Sequence, residues 1–391
     1  MKVGIASCYY NHNYGSMLQA YATQRAVEKL GHEAITIQCD APINYMTQSK
    51  VKYYFHKLTN PDIVKTKIRQ YKSKANLKKQ PEIEKNIKMR HECFDAFYEK
   101  NIHLSMKNNN RNELSKFAEE CDAVVVGSDM LWHPVNVEHD YYTLTFVPES
   151  VLKISYATSF GITIIPKYQV SIYKSFLKRF HAISVREKSG VDVVEKLGVG
   201  KQASVVLDPT LLFDGTEWMD LQKKEPIYSQ KYILCYFLGV NQEHRKFAQR
   251  IKALTGFQIV SLQHLDEYVD EDNGYADISA YDFGPSEFIN LIRNAEYVCT
   301  DSFHGSCFSI LNHKKFFTFN RFQTKNSQST NTRIDSLLQL VGLENRRVNC
   351  NMGKKELCKI LEETIDFSKI DSCLEIERER SFDFLKSALK V

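Results

Sequence analysis

Val298-Cys299-Thr300-Asp301-Ser302-Phe303-His304-Gly305-Ser306-Cys307-Phe308-Ser309 sets a buried strand, a polar turn and the start of a helix end to end. Its apolar run is short and unbroken, as in a parallel strand covered on both faces, and the polar residues arrive together at the carboxyl end. The same order recurs upstream. Asp122-Ala123-Val124-Val125-Val126-Gly127-Ser128-Asp129-Met130-Leu131-Trp132 is an apolar run closed by glycine and two polar residues, and Ile183-Ser184-Val185 ends in Arg186-Glu187. The first such unit passes from Ala6-Ser7-Cys8 through Asn11-His12-Asn13-Tyr14-Gly15 into Leu18-Gln19-Ala20-Tyr21. Short apolar runs alternating with amphipathic helical stretches predict an α/β protein built on parallel sheets.

The runs fall into two series. Strands are expected at 2–7, 34–38, 123–126, 153–156, 182–185 and 203–207, and again, after Asp208-Pro209-Thr210, at 232–237, 257–261, 297–300 and 316–319. Pro209, Gly215 and Pro226 punctuate the interval between the series. We therefore read two α/β domains, residues 1–210 and 211–391, with a helical insertion over about 41–120 in the first. A closing helix carries Phe382, Leu385 and Leu389 on one side. Two such domains facing each other put their strand ends around a cleft.

With 391 residues, 43% hydrophobic and 25% charged, the chain has enough apolar sequence for two domains of roughly 150 to 200 residues. No apolar run approaches the ~18 to 20 residues that span a bilayer, and Met1 leads directly into a strand-like run, so a cytoplasmic protein without a signal peptide is expected. The ten cysteines form no C-x-x-C framework, and Cys235 and Cys299 sit inside apolar runs; reduced core thiols are expected. The net charge of +5 is uneven. Lys50 to Arg90 holds thirteen Lys or Arg against three acidic residues, about +10, leaving about −5 for the remainder. Its aromatics cluster at Tyr53, Tyr54 and Phe55 instead of interleaving as a stacking platform, which argues against nucleic acid.

Polar residues at the strand ends are the candidates for chemistry. Asp301, Ser302, His304 and Gly305 make an anion site with a proton carrier in it, and Arg321, Lys325 and Arg333 can add positive charge from beyond the next strand. Asp129 can act as a base toward a hydroxyl and Trp132 can lay a flat apolar surface on a sugar ring; helix capping and core packing account for the same two residues equally. Arg186 can grip a phosphate or carboxylate through two parallel hydrogen bonds, or pair with Glu187. The turn at Asn13, Tyr14 and Gly15 offers backbone N–H groups to an anion or sugar, or serves as a cap. Neither the dinucleotide glycine pattern nor a Walker loop is present. No dense cluster of His and carboxylates is evident either, and no metal is expected.

Taken together these blocks resemble the polysaccharide pyruvyl transferase family. The resemblance also takes in Lys153-Ile154-Ser155-Tyr156-Ala157-Thr158-Ser159-Phe160-Gly161, Leu207-Asp208-Pro209-Thr210 with Trp218, and Arg333-Ile334. It implies two Rossmann-like domains facing a cleft, a GT-B-like arrangement, with the acceptor on the first domain and the donor on the second. The implied donor is phosphoenolpyruvate, with no other cofactor, held by Arg186, His304 and Gly305; Lys325, or Arg321 in its place, matches a further donor-binding lysine. The acceptor is a saccharide, approached by Asn13, Tyr14, Gly15 and Trp132. His304 stabilises phosphate or moves a proton, and Asp301 or Asp129 accepts the proton of the attacking hydroxyl. Because such acceptors are often lipid-linked, the segment Lys50 to Arg90 is expected either to touch anionic lipid on the inner face of the membrane or to stay a solvated helical surface. A GT-B-type nucleotide-sugar glycosyltransferase and a non-catalytic phosphosugar-binding protein are the alternative readings.

Overall fold

The computed structural model describes residues 1–39, 50–56, 61–264, 267–321 and 332–390. The first sheet holds β1 (Lys2–Ala6), β2 (Glu33–Thr36), β3 (Ala123–Asp129), β4 (Leu152–Thr158), β5 (Ala182–Val185) and β6 (Ala203–Val205), all parallel in the order β2-β1-β3-β4-β5-β6. The second holds β7 (Tyr232–Tyr236), β8 (Gln258–Leu262), β9 (Ile278–Ala280), β10 (Tyr297–Thr300) and β11 (Lys315–Thr318), parallel in the order β11-β10-β7-β8-β9. Strand β9 was not expected from the sequence. It is three residues long at a sheet edge, too short to show a period.

Helices α1 (Tyr14–Lys29), α2 (Pro61–Leu77), α3 (Pro81–Asn101), α4 (Arg111–Glu119), α5 (Val170–Leu177) and α6 (Lys188–Leu197) belong to the first half. They are followed by α7 (Gln242–Thr255), α8 (Pro285–Asn294), α9 (Phe303–Leu311), α10 (Thr332–Leu340), α11 (Lys354–Glu362) and α12 (Phe367–Leu389). The two helices that begin at the cleft are stopped from fraying by their own caps: the Asn13 side chain accepts from Ser16 N (3.2 Å), and Ser302 Oγ accepts from Gly305 N (3.2 Å).

In each sheet the chain builds one way and then the other. The first reverses between β1 and β3, the second between β7 and β10, and such switch points open a crevice at the carboxyl edge. An apolar core holds the two sheets in place. Tyr14 of α1 stacks on Phe288 of α8 (centroids 4.6 Å), meets Tyr236 of β7 edge-on (5.5 Å) and packs on Phe94 of α3. Removing a side chain of this size from water contributes roughly 1.5 to 3 kcal/mol. The insertion therefore spans both halves: Arg90 of α3, fully buried, donates to the carbonyls of Gln263, Ala280 and Tyr281 beside β8 and β9. Helix α12 also crosses over. Ser381 Oγ accepts from Leu207 N (3.0 Å) and Arg378 donates to Leu211 O, so the helix lies against the first sheet although it follows the second in sequence.

Candidate active site

The two switch points open on one cleft of about 390 Å³. The first domain brings Cys8, the turn from Asn11 to Asn13, Ser16 and Asp129 to its wall; the second brings Ser302, Phe303, His304 and Arg321, and α10 brings Arg333. Two helix starts, α1 and α9, border the same space, and their positive ends favour an anion.

Close approach governs this arrangement. The chain reaches Asp129 through Gly127 at φ +148°, where a Cβ would lie 1.9 Å from Tyr156 O. Gly15 lies so near His304 that a Cβ would sit 2.0 Å from its Nδ1. His304 is thus pressed onto α1, with Nε2 3.6 Å from Asp208 Oδ1, beyond hydrogen-bond reach.

Asp129 is crowded by donors. Its carboxylate accepts from Ser16 Oγ (3.0 Å), Met130 N (2.8 Å) and Arg186 Nη2 (3.2 Å), with Arg333 Nη1 at 3.9 Å. Burial pushes its pKa up, but the charges of Arg186, His304 and Arg333 outweigh burial and hold it at about 2. Asp208 is more enclosed still, accepting from Arg186 Nη1 (2.8 Å), Ser128 Oγ (3.0 Å) and Thr210 N and Oγ1. Burial works against its charge too, and His304 and Arg186 carry it well below the usual carboxylate range. Glu187 goes the other way: burial raises it, although Arg186 Nε lies 3.7 Å away and Ser159 donates to it.

Several residues singled out in the sequence occupy other places than expected. Arg186 does not line the cleft; its side chain is 1% exposed, is held by Asp129 and Asp208, and lies over the Phe303 ring at 4.6 Å. Its two ends are spent on carboxylates. Trp132 is core: fully buried, it donates to Tyr142 O and packs among Phe160, Phe176 and Phe180, so no sugar can reach its face. Tyr14 is equally enclosed, with its hydroxyl donating to Phe283 O (2.8 Å) in the core between the sheets. Asp301 accepts from Leu238 N (2.7 Å) and Gly239 N (2.9 Å), which leaves it a brace for the turn after β7 and not a proton acceptor in the cleft. The Gly305 N–H is taken by Ser302. Lys325 lies outside the described residues.

Asn13, Asp129, His304 and Arg321 do meet at the cleft wall, and Gly15 lies directly behind His304. Arg321 donates to Asp301 O (3.3 Å), with its Nε 3.9 Å from that carboxylate. Arg333 is 7% exposed, its nearest carboxylate is Asp129, and its Nε has no hydrogen-bond partner. Burial and the neighbouring Arg186 lower its pKa to about 9, so it keeps its charge at neutral pH and lacks a full set of acceptors. Cys8 borders the cleft as an inert thiol, because burial and then Asp129 push its pKa well up. Among the described residues no group of three His, Cys, Asp or Glu is placed to hold a metal, and no helix is long and apolar enough to cross a membrane.

Two parallel α/β domains of Rossmann type, meeting across a polar cleft at their switch points, make this a GT-B-like fold. The model of the polysaccharide pyruvyl transferase family matches residues 13–321, most of the chain, and the protein belongs to that family of transferases. Among solved structures it is similar to the UDP-GlcNAc 2-epimerase from Neisseria meningitidis, at 11% identity and a TM-score of 0.49 over 97% of this chain and 99% of that one. It is likewise similar to a spinosyn rhamnosyltransferase, at 10% identity and a TM-score of 0.49 over all of both chains. A search of curated protein sequences found no match.

Proposed function

We propose that the protein transfers the pyruvyl group of phosphoenolpyruvate to two hydroxyls of a saccharide, closing a ketal and releasing phosphate. The observation that carries this reading is Arg333: a buried cation at the wall of a polar cleft, short of acceptors, beside Arg321, His304 and two helix starts. A small multiply charged anion satisfies such a set better than an apolar ligand does. In the reaction a proton adds to C3 of the donor, one sugar oxygen bonds to C2, the C2–O bond to phosphate breaks, and the second oxygen takes its place. Of the two hydroxyl protons displaced, one balances the proton added at C3 and one leaves with phosphate. His304, in the first turn of α9, is the group we assign to the leaving phosphate, and Asp129, held near 2, is too weak a base for the hydroxyl and serves to fix Arg186 and Arg333.

Calorimetry of phosphoenolpyruvate against the wild type, Arg333→Met and His304→Gln tests the donor site. Binding weakened at least about tenfold in both variants, the order expected for a charge-assisted contact, supports it. A thermal shift with a nucleoside diphosphate sugar and none with phosphoenolpyruvate would instead favour a glycosyltransferase.

We further propose that α2 meets anionic lipid on the cytoplasmic face of the membrane. The helix docks through Arg69, 3.5 Å from Glu267, and through Ser73, which donates to Tyr268 O. Lys67, Tyr71, Lys74 and Lys78 fall on the opposite side at helical spacing, with Tyr71 79% exposed and no acidic residue between Val64 and Gln80. Vesicles containing phosphatidylglycerol should float the protein, and Lys67→Glu with Lys74→Glu and Lys78→Glu should leave it unbound; flotation indifferent to anionic lipid sinks the idea.

A further inference from the structure

The donor side of the cleft accounts for its cations, but the proton of the attacking hydroxyl still needs an acceptor. The carboxylates fail on geometry: Asp301 is engaged by two backbone N–H groups, Asp208 is enclosed behind Arg186, and Asp129 faces two arginines. Cys8 shares its sulfur between Asp129 and Gln19. His304 lies against Gly15 on the side of α9. His12 lies in the turn before α1, and nothing in the sequence assigned it a role. Its side chain is 27% exposed and borders the cleft, and its Nε2 lies 2.7 Å from Asp95 Oδ1 of the insertion helix α3. His91, one helical turn before Asp95, stacks on the His12 ring at 4.1 Å with the planes 16° apart, and Phe94 meets the ring edge-on at 6.0 Å.

We infer that His12, held by Asp95, is the proton acceptor for the saccharide hydroxyl, an assignment that rests on the pyruvyl-transfer reading. With Nε2–H donated to Asp95, the ring presents Nδ1 as its basic atom, and stacking on His91 restricts the ring's rotation away from Asp95. As the sugar oxygen forms its bond to C2 of the donor, the O–H electron pair becomes the C–O bond and the proton moves to Nδ1. The imidazolium so formed is opposed by the Asp95 carboxylate, and it gives its proton to the departing phosphate before the second hydroxyl attacks. The second hydroxyl gives up its proton as it attacks C2, and that proton balances the one added at C3, while the first leaves with phosphate. Asp95 touches no substrate; it is a positioning residue, and it brings the insertion into the chemistry of a cleft whose strand ends come from elsewhere.

Two measurements test this. Nitrogen-15 NMR of imidazole-labelled protein with phosphoenolpyruvate bound should show His12 protonated at Nε2 and bare at Nδ1, a preference that Asp95→Ala erodes. A His12 ring carrying its proton on Nδ1 overturns the proposal. Phosphate release from phosphoenolpyruvate is then followed with methyl hexosides as acceptors. His12→Gln should lower kcat on the order of 100-fold, and Asp95→Asn about tenfold, while the affinity for phosphoenolpyruvate by calorimetry stays within about twofold of wild type. A His12→Gln enzyme with wild-type kcat, or one whose affinity falls as much as its rate, removes the role. Failure of the wild type to bind phosphoenolpyruvate is a separate result, and overturns the underlying function.

Discussion

Arg186 and Arg333 carry the same charge to within a few ångströms of Asp129 and of the Phe303 ring, yet only Arg333 reaches the wall of the cleft. Replacing Arg186 by Met strands Asp129, Asp208 and Glu187 together in a buried site, and should cost about 3 to 5 kcal/mol in denaturant unfolding. Arg333→Met should leave stability much closer to wild type and act on phosphoenolpyruvate affinity instead. Acid provides a second check. Folding lowers the Asp129 pKa from 3.8 to about 2, so its charge adds stability above the unfolded value and loses that contribution as pH falls from about 4 to about 2. The contribution at neutral pH is about 2 kcal/mol, and unfolding midpoints measured across that window should fall more steeply for wild type than for Asp129→Asn. Local pattern could place Asp129 and His304 at strand ends, because polar residues after an apolar run have few other places to go. It could not tell Arg186 from Arg333, since the carboxylates that occupy Arg186 stand at positions 129 and 208, and their convergence is a property of the sheet. Nor could it find His12, whose partner lies 83 residues away on the insertion.

At the scale of elements, the strands were legible wherever an apolar run ended in a turn, and β9 was not, having only Ile278, Ser279 and Ala280 to show. Trp132 shows the limit of reading a side chain from its neighbours in sequence: the phenylalanines that enclose it come from positions 160, 176 and 180. The insertion was legible as helical and basic, but not as a bridge. Part of its hold on the second domain is Arg90, whose guanidinium meets three carbonyls on the far side. In Arg90→Ala those carbonyls lose their donor, at a cost of about 1 to 3 kcal/mol for each one left buried and unsatisfied. Hydrogen exchange should therefore speed up along α3 and around residues 278–283 while β1 and β3 stay protected. Uniform exchange across the chain would mean that the clasp carries no local stability.

For the molecule as a whole, Arg90, the Tyr14 hydroxyl on Phe283, Ser73 on Tyr268 and the aromatic core tie the two halves at several separate points. Wide hinge closure would have to break all of them. The radius of gyration from X-ray scattering should accordingly change by less than about 1 Å when phosphoenolpyruvate saturates the protein, and a larger contraction would show that the ties yield. Selectivity then falls to the walls of a cleft that is already shaped, and less to a moving lid. The return of α12 to the first sheet bears on a different stage in the life of the chain. During synthesis, α1 and β1 to β6 emerge long before Ser381 and Arg378 exist to cover them, while the second sheet has all its strands by residue 318. The half that starts first is finished last, so a nascent chain stalled between β11 and α12 would expose the apolar flank around Tyr156 and Leu207 to chaperones and proteases, whereas its later-made neighbour would already have every strand in place.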